Sequence, residues 1–209
     1  MEPLRVGNGL ADEAVAAIRA GKPVVLPTDT VYGLCANAYS EEPVRRAYEL
    51  KGREPSQPSA LLAGDVDMLL ECLPELRGRV GPILRGLLPG PFTIVVPNPA
   101  RRYPWLTGER ADTIGVRVPD LPAPADAVLS RAGLMMATSA NMPGGPDPAR
   151  LEDVPDKILE GCGAAIDAGE LPGVPSTVID LTGDEPRMLR EGAVSAAEAL
   201  ERVTGLVAE

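Results

Sequence analysis

The sequence predicts an α/β domain built on a mixed, twisted sheet, and three observations carry that expectation. Short aliphatic strands alternate with helical stretches along the chain. Several strands follow one another with no helix between them, which argues against a purely parallel, doubly wound sheet. Polar clusters fall at the strand ends, where open α/β sheets bind their ligands. At 209 residues the chain suffices for one sizeable core, so residues 1–209 are expected to form a single domain. That core must be aliphatic, because 44% of residues are apolar and only 3% aromatic.

Each element has a local reason. Leu10–Ala20 reads as a helix with Ala14, Val15 and Ile18 on one face and Gly21 as its stop. Val24–Leu26 enters as a strand, and Pro27, lacking an N–H, is expected to end its pairing. Thr28, Asp29 and Thr30 then place two hydroxyls and a carboxylate at the strand's end, and Gly33 lets the backbone turn or a ligand come close. Ser40 is a fitting N-cap for a second helix, with Glu41 and Glu42 in its first turn and Val44, Ala47 and Tyr48 on its buried stripe. This helix runs out at Lys51-Gly52-Arg53.

A polar loop, Glu54 to Pro58, leads to a short strand, Ala60–Ala63, and Asp65 opens a short helix. Leu76, Val80, Ile83, Leu84 and Leu87 recur at helical spacing, with Gly81-Pro82 placed to kink the helix. Phe92–Val96 is a strand between prolines, and Asn98–Arg110 is a loop around Tyr103 and Trp105. In Thr113–Val118 the alternation puts Ile114, Val116 and Val118 on one face and Thr113, Gly115 and Arg117 on the other. A helix over Pro124–Arg131 precedes a buried strand, Leu134–Ala137, which ends in Thr138-Ser139-Ala140-Asn141. Then come a loop to Pro148, a helix near Asp153–Glu160, and strands at Ala164–Asp167, Thr177–Leu181 and Arg187–Leu189. Ser195 caps a last helix through Val203.

Composition excludes several classes of chemistry. There is no histidine, which rules out Ser-His-Asp or Cys-His nucleophiles and imidazole metal sites. Cys35, Cys72 and Cys162 are odd in number and widely spaced, so neither a disulfide framework nor a zinc site is expected, and no metal ligand set is assigned. A formal net charge of −10 disfavours nucleic-acid binding, because the molecule as a whole repels polyanions. No run reaches the ~18 apolar residues of a membrane span, and Met1–Glu13 lacks the pattern of a signal peptide, so a cytoplasmic protein is expected.

Neither common phosphate loop, G-x-x-x-x-G-K-[ST] or G-x-G-x-x-G, is present. Lys51 and Arg53 are the leading phosphate candidates, though basic residues at a helix C-terminus also suit the macrodipole. Arg117 points away from the apolar face, into solvent or into a cleft where its planar fork would suit a carboxylate. Ser139 and Asn141 end a buried strand, where they could read a purine or cap the next turn. Ser176-Thr177 open one strand, and Leu189-Arg190-Glu191-Gly192 close another.

Together these segments resemble the YrdC-type threonylcarbamoyl-adenylate synthase family. The resemblance rests on PTDTVYGL at 27–34, KGR at 51–53, PGPFTIVV at 89–96, TIGVRVP at 113–119, TSAN at 138–141, STVIDL at 176–181 and LREG at 189–192. It spans the chain from about Leu10 to Val194. It implies a YrdC-like fold with a concave nucleotide-binding cleft. The implied activity is condensation of L-threonine, bicarbonate and ATP to threonylcarbamoyl-AMP and pyrophosphate. The product would pass to a threonylcarbamoyl-transferase complex acting on tRNA, and Mg²⁺ would be carried mainly by the triphosphate.

By the same resemblance, Lys51 and Arg53 are the catalytic cations, and they hold ATP with Thr113, Ser139, Ala140, Asn141 and Arg190. Thr28, Arg117, Thr138 and Ser176 are implied on the threonine side. The chain departs from many relatives after KGR, where PSALL stands for PLIVH and leaves no histidine near Leu62. LREG likewise replaces the commoner LRPG. Two other readings share the scaffold: a YciO-like nucleotide- or RNA-binding relative without synthase activity, and a carbamoyl-transfer domain like that of hydrogenase-maturation proteins.

Overall fold

A computed structural model of the chain describes residues 9–207. The leader reading of Met1–Glu13 lies partly outside these residues. A nine-stranded mixed sheet forms the centre, in the order β7-β1-β2-β6-β3-β5-β4-β8-β9. Its strands are β1 (Val24–Pro27), β2 (Tyr32–Asn37), β3 (Ala60–Leu62), β4 (Phe92–Pro97), β5 (Thr113–Arg117), β6 (Met135–Ser139), β7 (Ala164–Ala165), β8 (Thr177–Asp180) and β9 (Arg187–Arg190). β1 with β7, β3 with β5 and β4 with β8 pair in parallel, and the other neighbours are antiparallel.

Helices cover the two faces unequally. Helices α2 (Glu41–Lys51), α3 (Val66–Cys72), α4 (Val80–Leu87), α6 (Asp156–Gly161) and α7 (Ala196–Val207) give side chains to one large cluster. Leu34, Leu61, Ile94, Ile114, Val116 and Ile179 of the sheet meet them there. Helices α1 (Gly9–Arg19) and α5 (Ala123–Ala132) cover the opposite face, through Ala14, Ile18, Val128 and Leu129. Their cluster reaches only β7, β1, β2, β6 and β3. Over β5, β4 and β8 no described helix packs on that face, and this gap leaves that part of the sheet uncovered.

The structure corrects the sequence reading in several places. Tyr32–Asn37 is a strand that the sequence reading left in the turn after Pro27. Gly33 does not turn the chain; it pairs with Leu26 on one side and Ser139 on the other. Pro27 stays in β1 opposite Tyr32, because the last position of a strand can do without an N–H. The stretch from Leu76 to Leu87 divides into a 3-10 turn, Pro74–Arg77, and α4, with the break at Gly78. The helix expected near Asp153–Glu160 likewise divides at Pro155, which caps α6. Ser40 occupies the N-cap of α2 without a side-chain bond, whereas Asp65 caps α3 by accepting from the backbone N–H of Met68 at 2.7 Å.

Candidate active site

The cavity occupies the uncovered part of the sheet and measures about 560 Å³. Its floor follows from cross-strand register. Ala137, Ala60, Gly115 and Val95 are successive neighbours on β6, β3, β5 and β4, and all four line the cavity. Small residues here keep the floor low, and a side chain at position 115 would stand in the space. The alternation in β5 puts Ile114, Val116 and Val118 in the core and Thr113, Gly115 and Arg117 at the cavity. Thr93 and Val95 of β4 face it in the same way, opposite buried Phe92, Ile94 and Val96.

Eight of the residues expected at the site line this one cavity: Thr28, Arg53, Thr113, Arg117, Thr138, Ser139, Ser176 and Arg190. Lys51, Ala140 and Asn141 do not. Lys51 is buried behind Ser139, donating to its carbonyl at 2.5 Å and to Asn141 Oδ1 at 2.6 Å. Asn141 accepts a second bond from Ser139 Oγ at 2.8 Å and donates to Gly145 O at 2.7 Å. The Asn141 side chain is therefore an internal bracket, the turn-capping alternative for that residue. Ala140 is fully buried in the large core, its N–H bonded to Tyr32 O at 2.9 Å.

Burial, and then the nearby Arg53 charge, push the Lys51 ammonium down to about 8. Asp147, a cavity-lining carboxylate that sequence reasoning missed, works the other way on Lys51 and on Arg190. Arg53 donates to Pro58 O, and its guanidinium lies 6.0 Å from the Tyr48 ring centroid. Its Nε is buried with no partner, a donor left for something else to satisfy.

Arg190 clamps the Ser176 carbonyl with Nε at 3.2 Å and Nη2 at 2.8 Å, and Ser176 Oγ shares a 2.8 Å bond with Thr93 Oγ1. Burial lowers the Arg190 pKa. Thr113 hydrogen-bonds back to Arg110 O through both N and Oγ1. Thr28 has its hydroxyl taken up by its own turn, donating to Val31 O at 2.7 Å and accepting from the Thr30 and Val31 N–H groups. Arg117 is paired with Asp29 and donates to Thr30 Oγ1 at 2.7 Å. Leu62, opposite Arg117 in register, lines the cavity as an aliphatic wall.

Thr93, Glu109 and Arg110 also line the space without having been named from the sequence. The alternation in FTIVV could have found Thr93. Glu109 and Arg110 sit in an irregular loop, where no periodicity marks a facing side. That loop is fixed by contact: Gly108 has φ +60, and a Cβ there would lie 2.3 Å from Ser56 O. Chemically the site offers cations around a largely aliphatic floor, with no cysteine or histidine in its lining. Burial pushes the Cys35 thiol to about 12, and Cys35 is absent from the lining.

Comparison with known proteins gives consistent matches. The Sua5/YciO/YrdC family model, described as "Telomere recombination", matches residues 16–192. A Pyrococcus abyssi protein named threonylcarbamoyl-AMP synthase is 35% identical over 193 residues, covering 92% of this chain and 56% of its own length. A Chromohalobacter salexigens protein of the same name is 34% identical over 175 residues, 83% of this chain and 93% of its own. The structure of P. abyssi Sua5 complexed with L-threonine superposes with a TM-score of 0.80 at 32% identity, covering 96% of this chain and 59% of that one. Escherichia coli YciO superposes at 0.74 with 27% identity, over 95% and 96% of the two chains.

Proposed function

Because this chain belongs to the Sua5/YciO/YrdC family, we propose that its cavity makes threonylcarbamoyl-AMP from L-threonine, bicarbonate and ATP. The observation that carries this reading is the gathering of Arg53, Arg117 and Arg190 with Thr113, Thr138, Ser139 and Ser176 around one space. Threonine's amine and bicarbonate first give N-carboxy-threonine: the N–C bond forms as a C–O bond of bicarbonate breaks, and that oxygen leaves as water. One carboxylate oxygen of that carbamate then attacks the α-phosphorus of ATP. The new P–O bond forms as the bond to the β-phosphate bridging oxygen breaks, and pyrophosphate leaves with the electron pair.

Two anions must meet while charge builds on the phosphoryl oxygens, so positioning and electrostatic stabilisation are what the protein has to supply. Arg53 and Lys51 serve the phosphate end, and Arg117 the threonine carboxylate. Lys51 lies behind the cavity wall, so it serves the phosphate end through its charge and through the Ser139 carbonyl and Asn141 Oδ1 that it holds. Mg²⁺ would be carried mainly by the triphosphate. Among the described residues no group of three His, Cys, Asp or Glu gathers as a metal site, and hard cations take phosphate oxygens readily. When bound, the ion offsets phosphate charge.

No described helix is long and apolar enough to cross a membrane. The product, a mixed anhydride, is passed to a transferase complex acting on tRNA, and the net charge of −10 disfavours tRNA capture by this chain.

Mass analysis of the product formed from ATP, L-threonine and bicarbonate tests the reading, and threonylcarbamoyl-AMP is the expected species. L-serine should be the nearest competitor, because one methyl is discriminated by only ~1–3 kcal/mol. A second reading has an observation of its own: the chain matches E. coli YciO over nearly the whole of both lengths. Nucleotide binding without adenylate formation would favour that reading.

Gly192 offers a test of the site's framework. A Cβ there would lie 2.2 Å from Pro175 O and 2.6 Å from the Ser176 carbonyl, which is backbone that cannot swing aside. Gly192→Ala should move Ser176 and its clamp with Arg190, lowering turnover by about tenfold or more, since small misplacements cost that much in positioned reactions. Steady-state kinetics beside a thermal melt would check it. Unchanged kinetics in the folded variant would remove the Ser176–Arg190 clamp from the active machinery.

A further inference from the structure

The Thr28–Thr30 turn carries a carboxylate that the reaction above does not use. The Asp29 side chain is not among those lining the cavity; it turns toward Arg117 and the chain beyond β5. Its Oδ1 accepts from Arg117 Nη2, and its Oδ2 accepts from the Asp120 N–H at 3.2 Å. Protein donors therefore engage both oxygens. The side chains of Asp29 and Arg117 are each only 10% exposed, so solvent hardly screens the pair.

The donors of Arg117 divide in an informative way. Nη2 has two protons, one directed to Asp29 and one to Thr30 Oγ1 at 2.7 Å, so it is saturated. Nε is buried with no partner and is closed to a ligand, whereas Nη1 donates to no protein oxygen among the described residues and is not buried in this way, so it is the donor left open. The guanidinium is planar and rigid, so fixing Nη2 with two acceptors fixes the direction of the remaining edge. Thr30 is held in turn: with Arg117 as its donor, its hydroxyl proton goes to Thr28 Oγ1 at 2.9 Å, and Thr28 donates to Val31 O. The Asp120 contact ties the same carboxylate to the segment that follows Arg117 in the chain.

We propose that Asp29 is a positioning residue for the amino-acid substrate: it holds Arg117 Nη2 so that Nη1, the accessible donor, stays turned into the cavity, where it receives the threonine carboxylate. This rests on the synthase reading above. Asp29 also offsets the Arg117 charge when no ligand is present, so the empty site holds no unpaired buried cation. Charge matters here as well as shape, because ionised acceptors hold a guanidinium more strongly than neutral ones.

The test titrates L-threonine and ATP separately into the whole chain, as wild type, Asp29→Ala and Asp29→Asn, with a thermal melt for each. Asp29→Ala should weaken threonine by about tenfold or more and leave ATP within about twofold, as expected for loss of one buried charged contact. Asp29→Asn keeps an acceptor but not the charge, and should fall between wild type and alanine, at roughly threefold. If the alanine variant does not fold, the asparagine variant carries the test. Unchanged threonine affinity in a folded variant, or equal losses for threonine and ATP, would overturn the positioning role. A wild-type chain that binds ATP but no threonine would overturn the synthase reading itself, which separates the two failures.

Discussion

Lys51→Ala is expected to lower adenylate formation about a hundredfold or more, the usual loss when a cation leaves a phosphoryl-transfer site. Two effects add. The phosphate end loses a charge, and the Ser139 carbonyl and Asn141 Oδ1 lose the donor that joins them. Lys51→Met, similar in length but uncharged, should lose nearly as much, which assigns the effect to the ammonium rather than to the space. The pH dependence has a definite sign. With its pKa lowered to about 8 by burial, Lys51 is charged below that value and neutral above it. ATP affinity should therefore fall as pH rises through 8, and Lys51→Arg should flatten the fall, since arginine keeps its charge. Turnover near normal in a folded Lys51→Ala variant, measured by pyrophosphate release, would take Lys51 out of the site.

Arg117→Leu should weaken threonine far more than ATP, by about 2 kcal/mol or more, as expected when a charge-assisted pair in a desolvated cleft is lost. The structure adds a complication that the sequence could not show. Removing Arg117 strands the buried Asp29 carboxylate, and breaking such a pair typically costs about 3–5 kcal/mol of stability. Arg117→Lys, which leaves Asp29 a cation but removes the planar fork, is the companion that separates binding from folding. Threonine weakened in both variants, with ATP retained in the lysine variant, is the expected pattern. Equal loss of both ligands in a folded lysine variant would point to general damage to the sheet.

Alternation made β5 legible. Two valines, an isoleucine and an arginine in period two suffice to place Arg117 opposite a core face, and that is where it lies. The same rule would have exposed Thr93 had it been applied to β4. β2 was not legible, because its Gly33 and the hydroxyl-rich turn before it mimic a loop. Only the pairing of Gly33 with Leu26 and Ser139 shows it to be strand. Lys51 and Asn141 were legible as a motif but not as a geometry: spacing could not tell that one holds the other from behind the cavity wall. Asp29 was invisible as a partner of Arg117, being 88 residues away in sequence. Contacts of that separation follow from the fold, not from local pattern.

The central claim is that one cavity couples ATP cleavage to threonine and bicarbonate together, and pyrophosphate release tests it most directly. The attacking carboxylate belongs to N-carboxy-threonine, which neither compound provides alone, and no cysteine or histidine is placed to displace pyrophosphate first. Pyrophosphate should be released from ATP only when both co-substrates are present, and stripping carbon dioxide from the buffer should stop it even at saturating threonine. Release that continues without threonine, or without carbon dioxide, would contradict the claim.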